Sequence, residues 1–244
     1  MLEITTHNFL FFTRKEFWFY DGEKITEGTY NTFSAAKKIN EGNITYLQKY
    51  QTTQIDLSKT EEDLFKAIHP TFRYDIRTAE KQNFKYISFD QPTNNDCKML
   101  IESYNSFARS KNLKSYNRRW ITALKKAGKL YFTKILLGNI ILITHVYVFD
   151  NETILLSNSF HNPEFTNDRI RSEANKLLHW KDVLLFKSRN FKTYDFGGIN
   201  PEKLPGVSKF KLNFGGEVTE RYRYIKTSPL FLKFVTLYKT LIKE

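Results

Sequence analysis

The sequence is poor in cysteine, glycine and proline, and each shortage excludes a class of protein. A single cysteine, Cys97, excludes an intramolecular disulfide framework and a zinc cluster built on cysteines. Ten glycines and six prolines in 244 residues exclude collagen-like and low-complexity chains. No uninterrupted apolar run approaches the ~20 residues that span a bilayer. We therefore expect a globular protein with a hydrophobic core.

The N-terminal segment also lacks the features of a targeting signal. Its apolar residues give way early to Arg14 and Lys15. A basic start, a long apolar core and a small-residue cleavage site are all missing, so no signal peptide is predicted. The expected location is the reducing cytoplasm.

Positive charge is abundant, at 38 Lys and Arg against 26 Asp and Glu, a net charge of +12. Residues 1–122 contribute +3 and residues 123–244 contribute +9. This excess of positive charge suits an anionic binding partner, namely nucleic acid, a membrane surface or a phosphorylated small molecule. The alternative is a solvated lysine-rich surface without such a partner. No zinc-finger spacing or aromatic RNA-binding signature occurs, so no nucleic-acid partner is expected.

The first half predicts strands and helices in mixed order. Ser58 and Glu61 have the spacing of a capping box at a helix start. Arg73, Arg77 and Lys81 fall on one helical face, which is either a binding face or a solvated stripe. The predicted elements are strands over 7–12, 17–20, 44–50 and 84–89, a hairpin turn at 13–16, and helices over 31–40, 58–69, 71–82, 95–110 and 116–127.

The second half predicts a three-strand antiparallel meander followed by a strand–helix crossover. Gly138-Asn139 is a two-residue hairpin signal between the first two strands. A terminal helix over 230–242 either packs on the core or contacts a membrane. The other elements are strands over 130–137, 140–149, 153–160, 193–196 and 217–226, and helices over 169–189 and 208–213. This order indicates an α+β fold with a mixed sheet.

Four stretches together resemble the FemX-like (FemAB) branch of the GNAT acyltransferases. They are Asp56-Leu57-Ser58 with the following helix, the segment from Arg73 to Lys81, Asn175 with Trp180, and Tyr194-Asp195-Phe196-Gly197-Gly198 followed by Phe210-Lys211-x-x-Phe214-Gly215-Gly216. The resemblance implies two tandem GNAT-like lobes, over 1–122 and 123–244, each a mixed, mostly antiparallel sheet flanked by helices. It also implies that the second lobe carries the acyl-donor cleft.

The resemblance implies an N-acyltransferase that uses acyl-CoA as co-substrate and needs no metal. The compact sugar N-acyltransferases (FdhC-like) are the most similar members. They suggest a nucleotide-linked acceptor, such as a dTDP-3-amino-3,6-dideoxyhexose for surface polysaccharide, and an acyl group such as 3-hydroxybutanoyl. The rival hypotheses are an aminoacyl-tRNA-dependent transferase of the FemX type and a non-enzymatic basic protein that binds RNA or lipid.

Amide formation from a thioester needs a base for the amine, and two candidates stand out. Asp195 follows a short strand where the sheet should open; its alternative role is to cap the Gly-Gly turn. His161 follows the last meander strand and is otherwise a surface histidine. Tyr194 could bind the sugar or protonate the thiolate. The position that resembles the usual GNAT tyrosine holds Phe210, so the usual acid is absent and the thiolate could instead take its proton from the ammonium product or water.

Further candidates belong to the two substrates. For coenzyme A they are Arg169, Arg171 and Ser172 at the start of the long helix, where free N–H groups suit a pyrophosphate, and Asn158. Lys211 resembles the family's phosphate-contacting lysine, and Phe210 either stacks on the substrate or packs in the core. The remaining acceptor candidates are Asn175, Arg73 and Arg77.

Overall fold

The computed structural model describes residues 1–9, 12–231 and 233. The chain forms two compact units: Met1–Gln51 with Glu220–Glu244, and Thr52–Thr219. The first unit is therefore discontinuous in sequence, and the middle of the chain forms the second. None of the helices within the described residues combines the length and apolar composition that crossing a bilayer requires.

Sixteen elements are present in the described residues. The strands are β1 Leu2–Phe9, β2 Phe12–Trp18, β3 Tyr30–Ala36, β4 Ile44–Asp56, β5 Phe84–Phe89, β6 Leu130–Leu137, β7 Ile140–Phe149, β8 Thr153–His161, β9 Thr193–Ile199 and β10 Glu217–Thr227. The helices are α1 Glu61–Ala67, α2 Pro70–Glu80, α3 Asn94–Ser110, α4 Arg118–Lys126, α5 Asp168–Ser188 and α6 Pro205–Leu212.

The unit Thr52–Thr219 is built on a mixed sheet in the order β4-β9-β8-β7-β6-β5. Strands β5 to β8 pair antiparallel in sequence order. The crossover through α5 then returns the chain so that β9 runs parallel to β8. The meander and crossover predicted from the second half are confirmed, and so is the α+β class.

Helix α5 packs across this sheet and supplies much of the core. It contacts β6 and β7 of the sheet and also helix α2. Leu178, Val183 and Phe186 are buried on it, and each such side chain contributes roughly 1.5–3 kcal/mol when removed from water. The buried face of the helix thus combines apolar side chains with a few polar ones, and its N-terminus lies beside the end of β8.

The unit Met1–Gln51 with Glu220–Glu244 consists mainly of strands and has its own hydrophobic core. Its strand order is β1-β2-β3-β10-β4, in which β2 and β3 are parallel while β1–β2 and β3–β10 are antiparallel. Phe33 stacks on Phe17 and Tyr224 with ring-centroid distances of 4.9 and 4.2 Å. The aromatic residues at both chain ends thus close one small core.

Two predictions for the N-terminal residues are wrong. The helix predicted over 31–40 is instead strand β3, in which buried Asn31, Phe33 and Ala35 alternate with less buried neighbours. Pairing with β2 and β10 overrides the local helical preference. The turn predicted at 13–16 lies inside β2, which pairs with β1. The terminal helix over 230–242 lies largely outside the described residues.

The start of α1 is also displaced from its prediction. Thr60, not Ser58, is the N-cap, and its hydroxyl accepts a hydrogen bond from the Asp63 backbone N–H at 3.1 Å. Ser58 instead bonds to the Asp56 carboxylate, in a turn between β4 and the helix. Either serine or threonine can cap a helix, so the spacing alone did not distinguish the two registers.

The compact units do not divide at residue 122. Strand β5, which precedes that position, pairs with β6, which follows it, over the register Phe84↔Leu137 to Phe89↔Phe132. The contacts instead divide the chain at 51/52 and 219/220. The tandem GNAT lobes over 1–122 and 123–244 stay a prediction.

Candidate active site

The pairing of β8 with β9 ends early. These parallel strands are matched only from Thr153↔Thr193 to Leu155↔Asp195. Gly197 still lies against the Leu156 carbonyl, where an added Cβ would be 3.0 Å from the oxygen. Beyond this point β8 runs on to His161 without β9 beside it. The opening predicted after Asp195 is therefore present.

A cavity of about 370 Å³ lies where the free end of β8 meets the start of α5. We call it the α5 cavity. Four predicted site residues line it: His161 from β8, and Arg171, Ser172 and Asn175 from α5. Its other lining residues are Ile143, Ser159, Phe160 and Asp168. The structure thus brings together one candidate base and three candidate substrate contacts.

His161 has the electrostatic character of a base. Burial is the main cause that lowers its pKa from the ordinary value, and the cations Arg171 and Lys111 lower it further. Asp168 acts in the opposite direction. The imidazole ring also meets the edge of Phe107, at a centroid distance of 5.1 Å. The neutral form, which can accept a proton, is favoured near neutral pH.

The two arginines at the start of α5 have different surroundings. Arg171 donates to the Phe165 carbonyl at 3.0 Å and also to the Asp168 carboxylate, so its guanidinium is held at the α5 cavity. Arg169 pairs with Glu173 at 3.0 Å and is 80% exposed. It does not line the cavity. Of these two arginines, Arg171 is therefore the one that brings its charge to the cavity.

Asp195 lies elsewhere and is tightly held. Its carboxylate accepts from the Thr52 hydroxyl, from Gln54 at 2.6 Å and from the Gly197 backbone N–H at 2.7 Å. The bond from Gly197 caps the Gly-Gly turn, which is the alternative role that the sequence suggested for Asp195. Asp195 is buried and is not part of the α5 cavity lining. The two candidate bases therefore occupy separate places.

Tyr194 belongs to a buried polar network that the sequence did not reveal. Its hydroxyl lies 2.9 Å from that of Tyr147 and 3.0 Å from Nδ1 of His179. Burial raises the pKa of both tyrosines and lowers that of His179. Tyr194 has no exposed surface, so its proposed contact with substrate is not seen in this arrangement.

Asp182 of α5 is the centre of this network. Its Oδ2 accepts from Tyr147 at 2.6 Å and from Thr133 at 3.1 Å, and lies 2.7 Å from Nδ1 of His145. Its Oδ1 accepts from Tyr86 at 2.9 Å. The signal was its position between Leu178 and Phe186 on the buried face of α5, where a carboxylate needs partners.

The network reaches the α5 cavity through one residue. Oδ1 of Asn175 lies 3.1 Å from Nε2 of His145. Asn175 also lines the cavity, so the buried cluster fixes one side chain of its wall. His145 lies within β7, is fully buried and has hydrogen-bond partners at both ring nitrogens.

Lys211 and Phe210 of α6 lie near the β9 turn. The Lys211 ammonium donates to the Gly198 carbonyl at 2.8 Å. Burial lowers the pKa of Lys211 to about 8, and Asp195 opposes this effect. Phe210 packs against Phe72 and Phe214 at ring-centroid distances of 5.2 and 5.4 Å. These contacts are those expected if Phe210 packs in the core rather than stacking on the substrate.

Three further candidates lie outside the α5 cavity lining. Arg77 is exposed and lies over the Phe65 ring at 5.3 Å, while Arg73 is half-buried on the same helix. Asn158 of β8 accepts from the Ser157 hydroxyl at 3.0 Å. Within the described ranges, no group of three or more metal-ligating side chains gathers to hold a metal ion.

Comparison with solved structures gives the fold. FemX superposes with a TM-score of 0.58 at 15% identity, over 75% of this chain and 63% of FemX. The fold is similar to that part of FemX. The chain thus spans under two thirds of the length of FemX. No protein-family model matches the sequence, and no curated protein matches it either.

Two further structures have similar folds at lower identity. One is the C-terminal domain of an Agrobacterium fabrum protein assigned as a lysylphosphatidylglycerol synthetase, with a TM-score of 0.58, 9% identity, and coverage of 86% of this chain and 73% of that one. The other is L-PGS from Bacillus licheniformis, with a TM-score of 0.52, 10% identity, and coverage of 84% and 71%. The FemX-like fold implied by the resemblance is therefore confirmed.

Proposed function

We propose that this protein is a GNAT-type transferase that moves an acyl group from acyl-CoA to an amine. The observation that carries the proposal is the convergence of His161, Arg171, Ser172 and Asn175 on the α5 cavity, beside the point where β8 and β9 separate. The FemX-like fold supports the same reaction class.

The donor's pyrophosphate would bind at the start of α5. The first backbone N–H groups of a helix lack intrahelical partners and carry partial positive charge, which suits phosphate oxygens. Arg171 adds a guanidinium and Ser172 a hydroxyl on the cavity wall. Asp168 opposes an anion there, so the phosphate would replace it as the partner of Arg171.

The proposed chemistry needs no covalent enzyme intermediate. The neutral amine attacks the thioester carbonyl carbon, a C–N bond forms and the C–S bond breaks. The nitrogen of the addition intermediate gives up one proton to His161, and the imidazolium then returns that proton to the leaving thiolate, directly or through water, so the products are a neutral amide and a thiol. Positioning the reactants can supply roughly 7–11 kcal/mol, and a general base about 10²–10⁴-fold in rate.

The two candidate bases, His161 and Asp195, can be distinguished by the effects of their substitutions. His161→Gln should lower kcat by about 10²-fold or more and leave the folded state intact. Asp195→Asn should chiefly lower stability, by about 1–3 kcal/mol, because it disturbs three buried hydrogen bonds. A pH–rate profile that loses its acid limb in Asp195→Asn, but keeps it in His161→Gln, would assign the base to Asp195.

More specifically, we propose that the amine acceptor is a nucleotide-linked amino sugar. A dTDP-3-amino-3,6-dideoxyhexose and a 3-hydroxybutanoyl donor are the specific substrates that the resemblance suggests. Lys211, Arg73 and Arg77 are the cations that we propose for the acceptor's phosphates. The positive net charge of the chain supports phosphorylated substrates in general.

Thiol release tests the proposal directly. Purified protein is incubated with an acyl-CoA panel and a dTDP-amino sugar, and free coenzyme A is measured with a thiol reagent. We expect acceptor-dependent release that is lost in His161→Gln and retained in the exposed control Glu202→Gln. Release that does not depend on the acceptor, or none across the panel, would contradict the proposal.

A second candidate, an aminoacyl-tRNA-dependent transferase of the FemX type, is favoured by the similarity to FemX over 75% of this chain. Such an enzyme should lose activity after RNase treatment and with rising salt, since its donor is a polyanion. Transfer from aminoacyl-tRNA without any thiol release would select this candidate. If neither donor supports transfer, RNA or lipid binding without catalysis remains.

A further inference from the structure

A second, larger cavity lies on the other side of His161. It has a volume of about 550 Å³, within the range of small-molecule sites. Helix α3 forms one wall through Ser103 and Ser106, the β6–β7 turn forms another, and the loop 162–165 closes the third. We call it the α3 cavity.

The end of β8 separates the two cavities. Phe160 and His161 line both of them. On the neighbouring strand β7, Ile143 lines the α5 cavity and the next residue, Thr144, lines the α3 cavity. Thr144 pairs with Phe160, whose ring packs on Tyr104 of α3, whereas Ile143 pairs with His161. Because successive side chains of a strand point to opposite faces, the α3 cavity extends on the face toward α3 and the α5 cavity on the face toward α5, and they meet at the end of β8.

The two cavities differ in charge. The α5 cavity has the guanidinium of Arg171, whereas none of the described residues that line the α3 cavity is an arginine or a lysine. The chain has 38 such residues, so a lining without them is distinctive. The only ionisable carboxylate among the described lining residues of the α3 cavity is Glu164.

The neutral polar groups of the α3 cavity suit a polyhydroxylated ligand. Ser103, Ser106 and Thr144 supply hydroxyls, and each can donate and accept a hydrogen bond. Phe160 and Phe165 supply apolar faces for the carbon side of a ring. Together with the Glu164 carboxylate, this lining favours a hydroxylated ammonium compound and disfavours a phosphate.

We propose that the α3 cavity is the acceptor subsite, that it takes the unphosphorylated, amine-bearing sugar ring of the acceptor, and that His161 reaches the amine from the shared wall. This inference rests on the proposed transferase function and adds the location and chemistry of the acceptor. Any nucleotide and its phosphates then lie outside this cavity. Ser103, Ser106 and Glu164 are specificity residues.

Direct binding tests the subsite without requiring turnover. Ligand-observed NMR is recorded with glucosamine, glucose and glucose 6-phosphate as probes, and no acyl donor. Glucosamine should bind most tightly, and glucose 6-phosphate about tenfold more weakly or not at all, because its phosphate meets no cation in the cavity. Equal binding of all three probes, or tightest binding of the phosphate, would overturn the proposal.

A matched pair of variants on α3 locates the binding. Ser106→Leu fills the cavity and should abolish the glucosamine signal, whereas Ser110→Leu, one turn further along and outside the lining, should retain it. Glu164→Gln should weaken glucosamine more than glucose. Coenzyme A affinity, measured by calorimetry, should be unchanged in Ser106→Leu. A glucosamine signal that survives Ser106→Leu would exclude this cavity.

The outcomes separate the subsite from the transferase proposal. Glucosamine binding that depends on Ser106, without thiol release from any donor, would support the subsite and contradict the transferase. Acceptor-dependent thiol release with an acceptor KM that Ser106→Leu leaves unchanged would support the transferase and refute the subsite. Absence of binding by every probe would also refute the subsite.

Discussion

Replacing Asp182 tests whether the buried network stabilises the Thr52–Thr219 unit. Asp182 is fully buried and has four side-chain partners: Tyr86, Thr133, His145 and Tyr147. Asp182→Asn keeps the shape but turns one acceptor oxygen into an NH₂ group that faces donors. A hydrogen bond to a charged group contributes roughly 1.5–3 kcal/mol, and a buried donor without a partner costs about 1–3 kcal/mol. We expect a loss of about 3 kcal/mol.

Tyr86→Phe provides the graded comparison for this change. It removes the single bond to Oδ1 and leaves the other three partners in place, so the expected loss is about 1.5 kcal/mol. The exposed control Glu202→Gln should change stability by less than about 0.5 kcal/mol. Urea unfolding followed by fluorescence reports on this region, because Trp180 is buried on the same helix. A loss in Asp182→Asn smaller than that in Tyr86→Phe would refute the reasoning.

Three other predictions follow from the site and its surroundings. Arg171→Gln removes a cation that lowers the pKa of His161, so the acid limb of the pH–rate profile should move to higher pH; an unchanged limb would show that the two groups do not interact. Burial lowers the pKa of Lys211 to about 8, so near pH 7.5 it should react with an amine-acylating reagent about tenfold faster than the exposed Lys209. Peptide mapping measures the two rates, and equal rates would contradict the desolvation of Lys211. Gly215→Ala should lower the free energy of unfolding by about 3 kcal/mol or more, as measured in urea, because the φ of +77° disfavours a side chain and the new Cβ would overlap the carbonyl at the end of α1. In the control Gly206→Ala the new Cβ meets open space, so the free energy of unfolding should change little.

The sequence by itself determined the elements whose signals are local. The meander β6-β7-β8 follows from three β-rich runs separated by turn residues, and α5 follows from a long helical pattern. The motif around Asp195 and Lys211 carried the resemblance that the FemX-like fold confirms. The sequence singled out His161, Arg171 and Ser172 one by one, and only the structure shows that they line one cavity.

Only the tertiary structure decided which polar groups share a space. Strand β3 exists because β2 and β10 offer backbone partners that are distant in sequence, so its local helical signal was misleading. Asp182 meets its tyrosine, histidine and threonine partners on three strands only after α5 packs on the sheet. His161 likewise becomes a wall between two cavities because α3 and α5 cover opposite faces of the same strand end. Such juxtapositions depend on contacts across the fold, which no window of the sequence contains.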